Sequence, residues 1–139
     1  MAFLRQYLFV IPILVMVLCE VVKVLMERVR TGSWHEGLFK PGGMPSSHSA
    51  FVTSLLIVVG KKLGTTSAEF AIAFVFAAIV WYDAMSVRRE VGLQAQVLNS
   101  LQHKKHLRER LGHSFAQVIA GIWFGAVITS VGIWLSYNV

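Results

Sequence analysis

Cysteine and charged residues are scarce in this chain of 139 residues. The single cysteine, Cys19, lies within an apolar run, which excludes an internal disulfide and gives no signal for a thiolate metal cluster. Charged side chains make up only 14% of the chain against 55% hydrophobic residues, and the mean hydropathy is +0.63. A soluble domain rarely combines so few charges with so much apolar content, so the composition favours an integral membrane protein.

Four long apolar runs account for this composition. They cover residues 3–25, 46–60, 68–86 and 114–137. Each is predicted to be an α-helix, because a helix satisfies its own backbone hydrogen bonds in lipid. We therefore predict an all-α integral membrane bundle of about four transmembrane helices, which forms a single membrane domain over residues 1–139. The second run is shorter than the about 20 residues of a full crossing, so the loop before it is expected to lie within the bilayer interface.

Basic residues are concentrated in two of the three connections between these runs. The net charge of +6 comes from thirteen Lys and Arg against seven Asp and Glu. With four crossings the first and third connections lie on the same side, and their basic excess places that side in the cytoplasm. Cytoplasmic loops or an anionic substrate explain this balance better than nucleic acid does. The basic residues in question are Arg28, Arg30, Lys40, Arg88, Arg89, Lys104, Lys105, Arg108 and Arg110.

The third connection, residues 87–112, is polar but carries apolar residues at helical intervals. Val91, Leu98, Leu101 and Leu111 predict a helix that either lies on the surface or packs over the bundle. The same connection holds HKKH at residues 103–106, which a basic surface segment explains. Because carboxylate and thiolate ligands are missing around it, we predict no metal site there.

Ionisable residues within or beside the apolar runs are costly, which raises the expectation of function. Glu20 and Lys23 share one helical face, so they predict a local ion pair, an anion site at Lys23, or both. Asp83 ends the third run, and Arg88 and Arg89 follow. Spacings of five and six residues do not share a face of a straight helix, so Asp83 is expected to meet Lys23 or an arginine of another segment. A charge pair at the membrane border also explains the two arginines.

The stretch PSSH, residues 45–48, has the composition of an anion-binding helix start. Pro45 suits the first turn, and Ser46 or Ser47 suits the N-cap. The free N–H groups of that turn and the helix dipole favour an anion, over which His48 would project. An ordinary capped helix start explains the same residues. Likewise His113 and Gln117, one turn apart at the start of the fourth run, predict either a functional or a purely structural polar pair.

Three segments in this order, GGMPSSHSA, YDAMSVRREVGLQAQVLN and LGHSFAQVIAG, resemble the divergent branch of the type-2 phosphatidic acid phosphatase and vanadium haloperoxidase superfamily. The resemblance covers nearly the whole chain. The superfamily motifs are Lys-x6-Arg-Pro, Pro-Ser-Gly-His and Ser-Arg-x5-His-x3-Asp. Their counterparts here are Lys23 with Arg30, residues 45–48, and His113 with Gln117.

This sequence departs from the superfamily pattern at several positions. Thr31 replaces the proline, Ser47 the glycine and Gln117 the acid, and Leu107 stands where the arginine of the third motif is expected. The nearest substitutes for that arginine are Arg108 and Arg110, with Arg88 and Arg89 as alternatives.

The resemblance implies metal-free phosphoryl transfer with no cofactor. His113 would attack phosphorus and form a phosphohistidine, Gln117 would orient its ring, and His48 would protonate the leaving alkoxide. Glu20 and Asp83 would support the site. The residues implied to hold the phosphate oxygens are Lys23, Arg30, Ser46, Ser47, Arg88, Arg89 and Arg108.

Two functions therefore stay open. The first is a membrane phosphatase acting on a lipid phosphate or diphosphate, either an isoprenoid or a glycerolipid. The second, motivated by the amide of Gln117, is a non-catalytic or weakly active protein that binds anionic lipid headgroups. The expected partners are the lipid substrate and membrane lipids, without nucleic acid, and four crossings leave lateral surface that a homodimer could cover. The expected location is the plasma (inner) membrane, with the site facing the cytoplasm.

Overall fold

The computed structural model describes residues 8–32, 43–101, 107, 109 and 112–138. Every regular element within these residues is an α-helix, which confirms the predicted all-α class. The helices are α1 (Val10–Thr31), α2 (Ser47–Leu63), α3 (Ala68–Met85), α4 (Val87–Leu101) and α5 (Phe115–Asn138). Helix α2 is central and packs against α1, α3 and α5.

Helix α1 continues beyond residue 25, the predicted end of the first run, and stops at Thr31. Gly32 ends it with a left-handed backbone (φ 73°), and the Gly32 N–H donates to the carbonyl of Arg28 at 2.8 Å. The extension places Arg30 on the same helix as Lys23, about two turns further along. The predicted start of this run, at residue 3, lies outside the described residues.

Two helical runs among the described residues are long and apolar enough to cross a membrane, by length and composition. They are residues 68–101, which comprise α3 and α4, and α5. Helix α1 carries Glu20 and Lys23 in its middle, and α2 has 17 residues, fewer than the about 20 of a full crossing. The bundle of helices is therefore observed, whereas the count of four crossings stays a prediction.

Ser86 interrupts the helical run between α3 and α4. Its N–H and its hydroxyl both donate to the carbonyl of Tyr82, at 2.9 and 2.7 Å. Its φ and ψ of −110° and −75° depart from regular helix values, and a new helix begins at Val87. The run therefore consists of two helices, which need not share one straight axis.

Helix α4 is the helix predicted for the third connection. Val91, Leu98 and Leu101 are exposed, so α4 lies on the surface rather than packing these residues over the bundle. Leu111, the fourth apolar residue of that prediction, lies outside the described residues.

Small residues allow α2 and α5 to approach each other closely. A Cβ on Gly121 would lie 2.4 Å from the carbonyl oxygen of Ser46, and one on Gly125 would lie 2.4 Å from that of Ala50. Glycines four residues apart at such a contact are typical of helices packed in membranes. Because the contacts advance in the same direction along both helices, α2 and α5 run parallel and their N-termini lie together.

The same interface continues away from these N-termini. The Thr129 hydroxyl donates to Ser54 at 2.6 Å, and both side chains are buried. The apolar core joins α1 to this pair of helices. Its buried members include Val15, Val58 and Ile133.

Candidate functional site

The N-termini of α2 and α5 meet the end of α3 at one end of the bundle. The Ser46 N–H donates to the carbonyl of Gln117 at 3.1 Å, which ties the start of α2 to the first turn of α5. The His113 N–H donates to the carbonyl of Ala84 at 3.1 Å, which ties the segment before α5 to the last turn of α3. Carbonyls in a last helical turn lack an intrahelical partner, so Ala84 is a natural acceptor.

Ser46 is the N-cap of α2, one of the two serines predicted for that place. Its side chain accepts the Ser49 N–H at 3.4 Å and the Ser49 hydroxyl at 3.0 Å, and Ser46 is fully buried. The N–H groups of Ser47 and His48 begin the helix and therefore have no acceptor inside it. His48 is exposed on the same turn. This arrangement suits an anion held by backbone amides beside an imidazole.

The predicted local ion pair between Glu20 and Lys23 is present beside this helix start. The Lys23 ammonium lies 3.0 Å from each oxygen of the Glu20 carboxylate, and the Lys23 side chain is only 15% exposed. Its Cε lies 3.7 Å from where a Cβ on Gly43 would be, so Gly43 lies against the lysine stem. The Glu20 carboxylate is also within hydrogen-bonding range of the Ser47 side chain.

His113 and Gln117 are joined through a reciprocal cap at the start of α5. Nδ1 of His113 lies 3.3 Å from Oε1 of Gln117, as the prediction of a polar pair required. The same oxygen accepts the Ser114 N–H at 2.9 Å, and the Ser114 hydroxyl accepts the Gln117 N–H at 3.3 Å. This is a capping box, in which Ser114 is the N-cap and Gln117 the third helical residue. Gln117 therefore has a structural role as well as a contact to the imidazole.

The imidazole of His113 lies in a positively charged environment. Burial lowers the pKa of His113, the charges of Lys23, His48 and Arg88 lower it further, and the hydrogen bond with Gln117 acts in the opposite direction. These cations come from α1, α2 and α4, and two of them, Lys23 and Arg88, are paired with carboxylates. Among the described residues, His, Cys, Asp and Glu form no group of three that could hold a metal ion.

Asp83 pairs with Arg88 across the break at Ser86. Arg88 Nε lies 2.7 Å from Asp83 Oδ2, and both side chains are partly exposed. The expectation that Asp83 meets Lys23 or an arginine of another segment is wrong. It assumed a straight helix, whereas the interruption at Ser86 allows residues five apart to face each other.

Gly112 passes directly over the backbone of Arg89. A Cβ at Gly112 would lie 2.6 Å from both N and Cα of Arg89, so only glycine fits there without a shift of the backbone. The Arg89 side chain is exposed, as is that of Arg30 in the last turn of α1. Arg108, the remaining predicted phosphate ligand, lies outside the described residues, as do Arg110 and the HKKH segment.

Two residues that hold the site in place were missed by the motif-based reasoning. Ser114 carried a readable signal, the Ser-x-x-Gln spacing of a capping box. Asn99 of α4 carried none, because its partners belong to the returning chain. Its amide donates to the Leu107 carbonyl at 2.9 Å and to Glu109 at 2.8 Å, and it accepts the Leu107 N–H at 2.8 Å.

The chain is similar to known proteins. The profile of the "Divergent PAP2 family" matches residues 4–128. The chain belongs to this family. A curated relative is "Uncharacterized membrane protein YuiD" of Bacillus subtilis (strain 168), which is 38% identical over 110 residues, covering 65% of this chain and 70% of YuiD. No solved structure matches the chain. The name of this Bacillus subtilis relative and the two apolar helical runs support a membrane location, and the matched range contains all the predicted site residues.

Proposed function

We propose that this divergent PAP2 protein is a membrane-embedded, metal-independent phosphatase that acts on a lipid phosphate or diphosphate through a phosphohistidine. The observation that carries the proposal is the environment of His113. Its Nδ1 contacts Oε1 of Gln117, and the charges of Lys23, His48 and Arg88 lower its pKa. A nucleophile beside several cations is the arrangement that phosphoryl transfer requires.

The capping box supports one tautomer of His113. An N–H can donate to the oxygen of an amide but not to its NH₂ group, so the Ser114 N–H fixes which end of Gln117 faces the ring. Because Oε1 only accepts, Nδ1 carries the hydrogen and Nε2 keeps a lone pair. The burial that lowers the pKa of His113 favours the neutral ring, and only the neutral ring can attack.

The proposed reaction proceeds in two displacements. Nε2 of His113 forms a bond to phosphorus while the bond from phosphorus to the alcohol or phosphate leaving group breaks, and His48 gives that leaving oxygen a proton. Water then attacks the phosphohistidine, His48 takes a proton from it, and inorganic phosphate leaves with His113 restored. The groups proposed to hold the phosphoryl oxygens are the amides of the α2 N-terminus together with Lys23, Arg30, Ser46, Ser47, Arg88, Arg89 and Arg108.

Gln117 in place of an acid lowers the expected rate without removing the mechanism. In the Ser-His-Asp template, an Asp-to-Asn change costs about 10⁴ in turnover because the wrong histidine tautomer results. The capping box favours the right tautomer here. What the amide lacks is a negative charge to stabilise the imidazolium that forms during attack.

The proposal is tested with detergent-purified protein and two substrates, phosphatidic acid and an isoprenyl diphosphate. Phosphate release is expected in the presence of EDTA and is expected to be inhibited by vanadate, a phosphate analogue. Both His113→Ala and His48→Ala should abolish release, whereas His103→Ala, in the basic HKKH segment, should not. Activity that survives both site substitutions would overturn the mechanism.

A second function is favoured by the capping box itself. Because the cap accounts for Gln117 without catalysis, the same cations could serve only to bind anionic lipid headgroups. This function predicts saturable binding to phosphatidic acid vesicles with no phosphate release and no acid-labile phosphate on His113. The phosphatase predicts both turnover and a labile phosphate that His113→Ala eliminates.

The finer location follows the distribution of basic residues. We place the site at the cytoplasmic face of the plasma (inner) membrane, because Arg30, Arg88 and Arg89 lie at the site-bearing end of the bundle. A homodimer stays compatible with the exposed apolar surface of the helices. Labelling of a cysteine placed at Arg89 by a membrane-impermeant reagent, compared in intact and opened cells, tests the orientation.

A further inference from the structure

The two faces of helix α4 are in different environments. On one face α4 contacts described residues of the chain before α5. Asn99 holds the backbone of Leu107 by its amide, and Gly112 passes over the backbone of Arg89. Between these contacts Gly92 and Ala95 are buried. This face is therefore partly occupied by contacts within the chain.

A different face of α4 carries an exposed apolar stripe, which we call the outer stripe, and exposed Leu93 and Val97 lie beside it. At 3.6 residues per turn its members fall within about 80° of one another. Gln94 lies in the same arc and is the polar exception. The outer stripe consists of Val87, Val91, Leu98 and Leu101, which are 52%, 43%, 46% and 76% exposed.

The outer stripe follows directly on the exposed apolar surface of α3. Only Ser86 separates α3 from α4, and α3 exposes Ile72, Phe76 and Ile79. Helix α3 belongs to the run that is apolar enough to cross a membrane. At the junction Tyr82 is 67% exposed, an aromatic residue typical of the boundary between membrane and water.

We propose that α4 lies in the membrane interface, with the outer stripe turned towards the boundary between the lipid headgroups and the acyl chains. The occupant is the lipid surface of the membrane that holds the bundle, because α4 begins directly after α3, which belongs to a run apolar enough to cross that membrane. Arg88 and Arg89, both exposed at the start of α4, suit contact with anionic headgroups. This placement rests on the membrane location alone and does not require hydrolysis.

One consequence concerns the depth of the site. The Arg88 guanidinium is bonded to Asp83 at the start of α4, and its charge acts on His113. A helix held in the interface would keep both groups at the depth where lipid phosphates lie. The outer stripe would then determine how the site meets the membrane.

The test measures the depth of nitroxide labels in full-length protein reconstituted in vesicles of phosphatidylcholine and phosphatidylglycerol. Cys19→Ser provides the background, since serine retains a donor for the Pro45 carbonyl that the Cys19 thiol contacts. Labels are placed at Leu98→Cys, at Val91→Cys as a second stripe position, and at Gln96→Cys as the control on the opposite, exposed side.

Labels at Leu98 and Val91 are expected to collide more with oxygen than with a water-soluble nickel complex, at depths of about 5–10 Å below the phosphates. The label at Gln96 should show the reverse order. Equal nickel accessibility at all three positions would overturn the proposal, because the stripe would then face water. Dipolar broadening at Leu98 that disappears on dilution with unlabelled protein would also overturn it, because a second copy would then cover the stripe.

Discussion

Nδ1 of His113 and Oε1 of Gln117 lie 3.3 Å apart, and the amide is held in that orientation by the Ser114 N–H. A single oxygen thus closes the cap of α5 and meets the imidazole. Gln117 can therefore both cap α5 and orient the imidazole of His113. Substitutions that change one of these contacts are needed to measure each role.

The first prediction concerns Gln117→Glu. A carboxylate at this position accepts the same two N–H groups and keeps the capping box. Its charge favours the imidazolium, so the pKa of His113 should rise. Because the neutral ring attacks, activity rises as the pH rises through this pKa. The activity of the wild type is expected to fall only at a pH below 6.5, the ordinary histidine pKa. This acid limb of the pH–rate profile should shift to higher pH in the variant.

At the optimum of its pH profile the same variant should gain about tenfold in kcat. The charged hydrogen bond is worth about 1–1.5 kcal/mol more than the neutral one, and 1.36 kcal/mol corresponds to about tenfold. Gln96→Glu, which adds the same charge on the exposed side of α4, is the control and should change neither quantity. An unshifted acid limb together with unchanged kcat would show that residue 117 does not act on His113, whereas no phosphate release from either protein would favour the headgroup-binding function.

The second prediction concerns Ser114→Ala, which removes the hydroxyl of the cap but leaves its backbone N–H. Loss of a serine N-cap should reduce the free energy of unfolding by about 1 kcal/mol. Because the N–H still orients Gln117, the pH dependence of kcat should stay unchanged. Ser130→Ala, in the same helix, removes a hydroxyl that donates to the Ala126 carbonyl at 2.7 Å and should cost under about 0.5 kcal/mol. Thermal unfolding and pH–rate profiles in detergent check both variants; a shifted limb in Ser114→Ala would contradict the proposed orienting role.

Apolar patterning and cap chemistry made much of this site predictable. Long apolar runs predict helices whatever their packing, and Ser46 was one of two named N-cap candidates for α2. Helical periodicity also predicted that Glu20 and Lys23 pair and that His113 and Gln117 meet. Each of these relationships is local, because its partners lie within one helical turn.

Relationships that depend on tertiary structure could not be derived in this way. The pairing of Asp83 with Arg88 depends on the break at Ser86, whose side chain is compatible with a continuous helix. The end of α1 was misplaced because polar Arg28 and Arg30 look like a loop, although the last turn of a helix favours cations. The amide of Asn99 binds backbone atoms, which leave no trace in side-chain patterns.

The third prediction concerns Glu20→Gln. The Glu20 carboxylate is paired with the Lys23 ammonium, whose nitrogen lies 3.0 Å from each carboxylate oxygen. A phosphate that binds Lys23 must compete with it. Neutralising Glu20 should therefore strengthen vanadate inhibition by up to about fivefold, the equivalent of the 0.2–1 kcal/mol of a partly exposed ion pair. Glu69→Gln, at the exposed start of α3, is the matched control. Weaker vanadate inhibition in Glu20→Gln would show instead that the carboxylate positions Lys23 for the anion.

The fourth prediction concerns Gly121→Ala, at the contact that brings the two halves of the site together. The new methyl group would lie 2.4 Å from the Ser46 carbonyl oxygen, so α5 must shift away from the capped start of α2. Overpacking of this kind costs about 1–3 kcal/mol, and the shift separates His113 from His48, so activity should fall more than stability alone explains. Gly132→Ala in the same helix is the control. Its methyl group would lie 3.4 Å from the Ile11 side chain, an ordinary contact distance, and alanine stabilises a helix by up to about 1 kcal/mol relative to glycine. Thermal unfolding and phosphate release, measured on the same detergent preparations, compare the two. If both variants kept full activity, the close approach of α2 and α5 would not be what holds the two histidines together.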